Sequence, residues 1–353
     1  MGIRIASAMV FLASAVSYLM LAYASNLHML FWSKVPTILQ HAFLVAQATA
    51  ATSTGGDSAA RAAALGRMTT AYTIGATLGP AVGGYLADQG DFYISAKVAV
   101  VGSLLSVVLS LLYLPNQSAK EETSEREQDS TLTRKKRSFV EELRHSGELA
   151  LRSNLWPLLM VKVLGGVTSS MHSTALPLVL TEQLKFDPSQ LGLSMSASMV
   201  AVAVFGAVGM APLTNLMGSS GMAHLGLVSR AILGGIMALL VASTTNTYSS
   251  WLFYQVLMVS VLHGLASHAL ATGLTTQTTG LVDKQEQGAL LGLEHGLFSM
   301  ARIAGPPMGT ALLGWGSGLW SVETACGVVD ILLVVSLMAT MSQTITTSKR
   351  KST

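Results

Sequence analysis

The feature that most restricts this chain is where charge is missing. No Asp, Glu, Lys or Arg occurs in residues 5–33, 98–119, 189–229, 231–282, 303–322 or 331–348. About 20 apolar residues, each rising 1.5 Å, cross the roughly 30 Å hydrocarbon layer of a bilayer as one α-helix. Dividing the longer gaps at polar and Gly, Asn, Ser or Thr clusters gives ten expected spans, at 5–24, 28–50, 67–86, 94–114, 154–176, 190–211, 223–243, 250–272, 290–313 and 322–342. The expectation is an all-α polytopic membrane protein with about ten transmembrane helices, four before a polar segment and six after it. Only 11% of the 353 residues are charged and 50% are hydrophobic, which excludes both an ordinary soluble domain and general disorder. The single cysteine, Cys326, forms no internal disulfide, and the eight histidines lack metal-ligand spacing. Neither a metal nor a cofactor is expected.

Residues 115–153 are the only long polar segment, so the chain divides into a first half at 1–114, a charged loop at 115–153, a second half at 154–343 and a tail at 344–353. A short amphipathic helix is expected at 138–151. If the N-terminus is cytosolic, fifteen Lys and Arg fall in cytosolic segments against Lys185 alone outside, so both termini and the loop are expected in the cytosol. The net charge of +3 therefore reports topology rather than a nucleic-acid partner. The run Arg134 to Arg137 reads the same way, as a topogenic or anionic-lipid contact. Arg4 followed by an apolar stretch ending Ala22-Tyr23-Ala24 has the form of a cleavable signal. The stretch is long for one, and another span follows almost at once, which favours a retained helix.

The segment from Ala63-Ala64-Leu65-Gly66 to Gly83-Gly84-Tyr85-Leu86 recurs 226 positions later: Gly66, Gly79, Pro80, Gly83 and Leu86 fall on Gly292, Gly305, Pro306, Gly309 and Leu312. One offset shared by a Leu-Gly start and a Gly-Pro-x-x-Gly core indicates two homologous halves. Counting 226 positions back from Asn154 reaches about seventy residues ahead of Met1. Two helices are thus expected to be missing from the first half, as in a shortened copy of a twelve-helix parent.

Gly75-Ala76-Thr77-Leu78-Gly79-Pro80-Ala81-Val82-Gly83-Gly84, with the six-plus-six arrangement and charged central loop, resembles the antiporter motif of the major facilitator superfamily. Phe31-Trp32-Ser33-Lys34-Val35-Pro36, Gln40-His41, Arg61-Ala62-Ala63-Ala64-Leu65-Gly66-Arg67 and Val161-Lys162-Val163 are similar to the organic-cation-transporter-like group around member 18 of solute carrier family 22. The chain departs from the superfamily at its start, where only Gly2-Ile3-Arg4 stands for the motif Gly-x-x-x-Asp-Arg-x-Gly-x-Arg. The resemblance implies alternating access, with an organic cation or drug exchanged for protons near the midplane between two halves. It also implies a proton-transfer role for the cation at Lys34, where the usual residue is Arg, and leaves His41 as a possible substrate contact.

Small residues four apart, Gly75, Gly79 and Gly83 in one half and Ala301, Gly305 and Gly309 in the other, let helices approach closely, and Pro80 and Pro306 bend them. Gly84 completes the motif. The expected role is a close-packed, bent helix pair between rocking halves, or packing alone. Ionisable groups inside the bilayer default to functional hypotheses. Lys97, Arg230 and Glu323 lie close enough to span ends to snorkel, and are expected to be anchors. By helix rise, Arg302 and Asp330 sit about 18 and 12 Å from opposite ends of neighbouring antiparallel spans, at one level. They are expected to pair, as a static bridge or a gate. Lys162, His263 and Glu294 come about 12, 10 and 6 Å from the cytosolic side and would share a cavity, where Glu294 either exchanges a proton or complements a helix dipole. His172, His268 and His295 are further candidates. Trp156, Met195, Met199 and Phe298 offer apolar surface for a lipophilic cation.

No phosphate-binding Gly-Lys loop, Gly-x-Ser-x-Gly elbow or His-Glu-x-x-His occurs, so an enzyme is not expected. The partners expected are the lipid bilayer, a small molecule such as an organic cation, and protons. The rival expectation is a transport-inactive truncated form or a membrane interaction protein.

Overall fold

The computed structural model describes residues 3–39, 58–91, 93–114, 147–152, 154–243, 250–283, 286–315 and 318–351. His41, most of the loop 115–153 and the latter part of the 28–50 span lie outside them. The described residues contain helices and no strands, as lipid demands: a backbone without water must satisfy its own polar groups within each segment. Six helices are long and apolar enough, by length and composition, to cross a membrane. One of these, Pro188–Ser243, is 56 residues long and holds two spans. The chain forms two compact units, Met1–Lys136 and Arg137–Thr353.

In the first unit α1 (Ile3–Ala22) leads to a short α2 (Leu27–Trp32), a 3-10 turn (Val35–Leu39), α3 (Ser58–Asp88) and α4 (Ile94–Tyr113). Asn26 caps α2 by accepting from the Met29 amide at 2.9 Å. The faces of α1 are inverted relative to a water-soluble helix. Ser7, Val10, Ser14 and Ser17 are buried, while Ile5, Met9, Leu12, Val16 and Leu19 are exposed. Small and hydroxyl residues pack inward and large apolar ones face outward, which is how helices associate when the solvent is itself hydrocarbon. The Ser17 hydroxyl donates to the Ser33 carbonyl at 2.7 Å, tying α1 to the turn after α2. Between α3 and α4 the Lys97 ammonium donates to Asp91 at 2.6 Å and holds that carboxyl below its usual range.

The second unit contains the six long helices expected of it. After α5 (Trp156–Glu182), a capping box starts α6 (Pro188–Val204): Asp187 accepts from the Gln190 amide at 2.6 Å, and Gln190 from the Asp187 amide at 3.2 Å. A π turn at Phe205–Gly209 joins α6 to α7 (Met210–Ser243). Within α7 the chain reverses at Gly218, whose φ of 68° is one that L side chains rarely adopt, and Thr214 meets Met222 across the joint at 3.1 Å. Then follow α8 (Ser250–Gly280), α9 (Gln287–Gly314) and α10 (Leu319–Lys351).

Two large apolar clusters fill the interior of this unit, beside a smaller one of Leu149, Leu155, Leu159 and Leu290. Of the large ones, one joins Leu180, Phe186, Met237, Val256 and Val322, and the other Val161, Leu227, Leu270, Leu274 and Leu337. Helices meet through glycine. A Cβ on Gly226 would lie 2.8 Å from the Ala266 carbonyl oxygen, and one on Gly273 2.7 Å from that of Ser219, locking α7 to α8. On α9, Gly305 abuts Ser170 and Gly309 lies against the Met171 backbone of α5. The first copy of the motif differs. A Cβ on Gly75 or Gly79 meets nothing within 4 Å, and one on Gly83 meets only Ser95 Oγ at 3.9 Å. Among the described residues, the close packing expected for both copies is therefore seen in the second and not at Gly75 or Gly79. Gly305→Ala is accordingly expected to lose about 1–3 kcal/mol through overpacking, and Gly79→Ala to be neutral or slightly stabilising. Thermal unfolding of the purified protein in detergent measures both.

Candidate functional site

A cavity of about 670 Å³ opens inside the second unit, walled by α5, α6, α8 and α9, with Arg230 of α7 at its edge. Its wall is largely apolar and includes Leu176, Met195, Met199 and Phe298. Trp156 is not part of it and stands exposed at the start of α5. Two polar constellations interrupt the wall.

The first joins α5, α8 and α9. Lys162 Nζ lies 2.5 Å from Glu294 Oε2 and also donates to the hydroxyls of Thr275 at 3.0 Å and Thr278 at 3.3 Å. Thr278 donates to the other Glu294 oxygen at 2.6 Å. Both carboxylate oxygens and the ammonium are thus satisfied, as a buried pair requires. Thr275, Thr278 and Glu294 converge because Thr275 and Thr278 share one helical face and α9 begins only a short way after α8 ends.

The second constellation occupies a layer between the two apolar clusters. Arg230 donates to the Gly165 carbonyl at 3.2 Å and to Thr168 Oγ1 at 2.6 Å, and its Nε lies 3.3 Å from Asp330 Oδ2. Thr168 Oγ1 is 3.2 Å from Asp330 Oδ1. Arg230 is 3% exposed and Asp330 1%. One helical turn further along α5, His172 Nδ1 is 2.6 Å from Glu323 Oε1, and the His172 ring stacks on His263 with centroids 3.9 Å apart and planes at 7°. His172 and His263 both line the cavity, and among the described residues neither nitrogen of His263 has a hydrogen-bond partner. Two unit charges about 4 Å apart repel by about 4 kcal/mol at an effective dielectric of 20, so placing a positive charge on both stacked rings at once is costly.

These helices, with their inverted faces and paired buried charges, match the family model of the Major Facilitator Superfamily over residues 1–171 and 158–352. The chain belongs to the major facilitator superfamily. Members of that superfamily are transporters and not enzymes. Solute carrier family 22 member 18 of Mus musculus is 25% identical over 316 residues, covering 88% of this chain and 74% of that protein. Multidrug resistance protein 2 of Bacillus subtilis is 23% identical over 301 residues, covering 84% and 70%. Among solved structures, a POT family transporter in complex with a thioalcohol conjugated peptide aligns over 97% of this chain and 82% of its own, with a TM-score of 0.73 at 13% identity, a likeness of fold.

Within this superfamily fold, the residues singled out from sequence are distributed unevenly. Lys162 and Glu294 form an ion pair on the cavity wall, which His263, His268 and His295 also line. Lys34 is exposed in the turn after α2. Arg302 does not pair with Asp330. It is exposed, one residue from the buried Ala301 and so about 100° around α9 from the face that packs on α5. Arg230 takes its place. Arg230 and Glu323 are not snorkelling anchors: the joint at Gly218 sets Arg230 about 18 Å into its span, and Glu323 is 3% exposed beside His172. The π turn, whose Gly206 lies beside His268, is a further feature of the wall that no motif announced. Its only signal is the cluster of Gly206, Gly209 and Pro212 inside an apolar span.

Removing one partner of a buried pair leaves an uncompensated charge. Asp330→Asn is expected to cost about 3–5 kcal/mol, and Arg302→Ala about 0.5 kcal/mol or less, in thermal unfolding of the detergent-solubilised protein.

Proposed function

We propose that this chain is a secondary transporter exchanging lipophilic organic cations for protons by alternating access. The observation that carries the reading is the Lys162–Glu294 pair on the wall of an otherwise largely apolar cavity of about 670 Å³. Cavities of this volume suit drug-sized molecules. Ionisable groups at membrane depth are costly, and those on a cavity wall mark substrate or proton pathways. A cation entering the cavity competes with Lys162 for Glu294, and a proton on Glu294 releases Lys162 and weakens the hold on the cation. Met195, Met199 and Phe298 give the lipophilic body a polarisable surface. The names of the relatives, a solute carrier and a multidrug resistance protein, agree with a drug-like cargo.

The same reading treats 1–114 and 154–343 as the two transport halves, with 115–153, the tail 344–353 and both termini in the cytosol. Lys34 and His41 are proposed to contribute to the proton and substrate path in the first half, and the glycines and prolines of the two motif copies to let helices bend. A second reading is favoured by the basic groups of the cavity. Lys162, Arg230, His172, His263, His268 and His295 line it against the single carboxylate Glu294, an inventory that also suits an organic anion.

Reconstitution of the purified chain in proteoliposomes tests these readings. An imposed pH gradient is expected to drive accumulation of ethidium or tetraphenylphosphonium, and Glu294→Gln to abolish the gradient-driven component. Unchanged uptake in Glu294→Gln would remove that residue from coupling. Uptake of fluorescein in place of the cations selects the anion reading, and no uptake of either favours the transport-inactive alternative.

A further inference from the structure

We propose that His172, Glu323 and His263 form a second proton site, which holds one exchangeable proton and gives it up when a cation occupies the cavity. The proposal rests on the proton-coupled reading above and assigns it a location distinct from Lys162–Glu294.

The argument is one of charge in a layer closed above and below by apolar side chains. Arg230 and Asp330 cancel one another. Glu323 remains, 3% exposed, with one oxygen on His172 Nδ1 and the other against Gly234, where a Cβ would collide with it. One proton on the stacked imidazoles makes the cluster neutral, and a second would set two cations face to face at 3.9 Å. The cluster thus has two accessible states, neutral with one proton and singly negative without it. Among the described residues of this unit, no other group supplies the missing charge. From α5 the only ionisable neighbour is His172 itself. From α7 it is Arg230, already engaged. From α8 it is His263, with His268 further along the cavity wall, and α10 adds Asp330 and Cys326, whose thiol points to the Thr168 carbonyl at 3.5 Å. Among the described residues, α6 presents serines to the cavity, and α9 presents Glu294, held by Lys162, and His295.

His172 and His263 belong to both the cluster and the cavity wall, so charge balance links the two. A substrate cation in the cavity supplies the positive charge that the proton supplied, and the proton leaves His172 for the solvent of the cavity. Exchange then follows from electroneutrality without a shared ligand. Burial of a charged hydrogen-bonded pair beside a cavity is a recognised mark of a functional site.

The test uses the full chain, labelled with ¹⁵N-histidine, in nanodiscs at pH 7. His172→Gln and His263→Gln assign the two rings. One imidazolium and one neutral ring are expected from the pair. Glu323→Gln should leave both rings neutral, and so should Gly234→Ala, which displaces the carboxylate while keeping every titratable group. Glu294→Gln should leave the imidazolium in place. Two neutral rings in the unmodified protein, or an imidazolium that survives both Glu323→Gln and Gly234→Ala, overturns the proposal. Tetraphenylphosphonium added to weakly buffered protein is then expected to release about one proton more per cation bound than it does in Glu323→Gln. Binding with equal release from the two forms overturns the coupling. Absence of binding counts against the cation reading of the cavity, and the spectrum still decides whether the proton site exists.

Discussion

Arg230 sets the terms on which the second unit folds. A guanidinium about 18 Å along a span has no water to fall back on, and its donors depend on acceptors from the protein. Gly165 and Thr168 of α5 accept from its two terminal nitrogens and Asp330 of α10 balances its charge, while Nε makes no hydrogen bond among the described residues, so a single cation ties the mutual depth and rotation of α5, α7 and α10. Such a pair contributes little net stability compared with an apolar replacement, since the desolvation of both charges offsets their attraction. What it contributes is specificity. Apolar helices in lipid slide and rotate at little cost, whereas a misaligned Arg230 would strand a charge.

The apolar packing around that layer follows the same logic. Clusters around Val256 and around Leu227 close it on either side, and glycines at 226, 273, 305 and 309 bring the backbones near enough for short polar side chains to bridge them. The Lys162–Glu294 pair, by contrast, is on the wall of the cavity and engages two hydroxyls that any incoming group can rival. One set of charges is thus enclosed by the protein's own apolar core, and the other is within reach of what enters.

The helical, membrane-spanning class was legible from charge-free lengths alone, because hydrocarbon thickness and helix rise leave one solution. Lys162, His263 and Glu294 were expected in one cavity for a related reason, since depth along a helix is a count of residues, but the ion pair of Lys162 with Glu294 was not foreseen. Rotation is not such a count. Arg302 and Asp330 match in level, yet α9 turns Arg302 outward, and only the packing of Ala301 and Gly305 on α5 decides that. Arg230 and Glu323 were misjudged through span limits, since a helix that begins three or four residues earlier converts an interfacial anchor into a buried group. The stacked pair of His172 and His263 carries no sequence signal, because the two residues lie on different helices with no spacing rule to relate them. The likeness of the two motif copies likewise says nothing of what each copy packs against.

Gly218 has a mechanical consequence. It joins two spans with a single residue, and Thr214 and Met222 close over it. Most helix hairpins carry a loop that absorbs displacement, but here there is no slack. With one non-helical residue between them, the stretch before Gly218 and the helix bearing Arg230 are held at a fixed spacing along the chain. One glycine thus sets how the span that borders the cavity is tethered to the span that carries the buried charge.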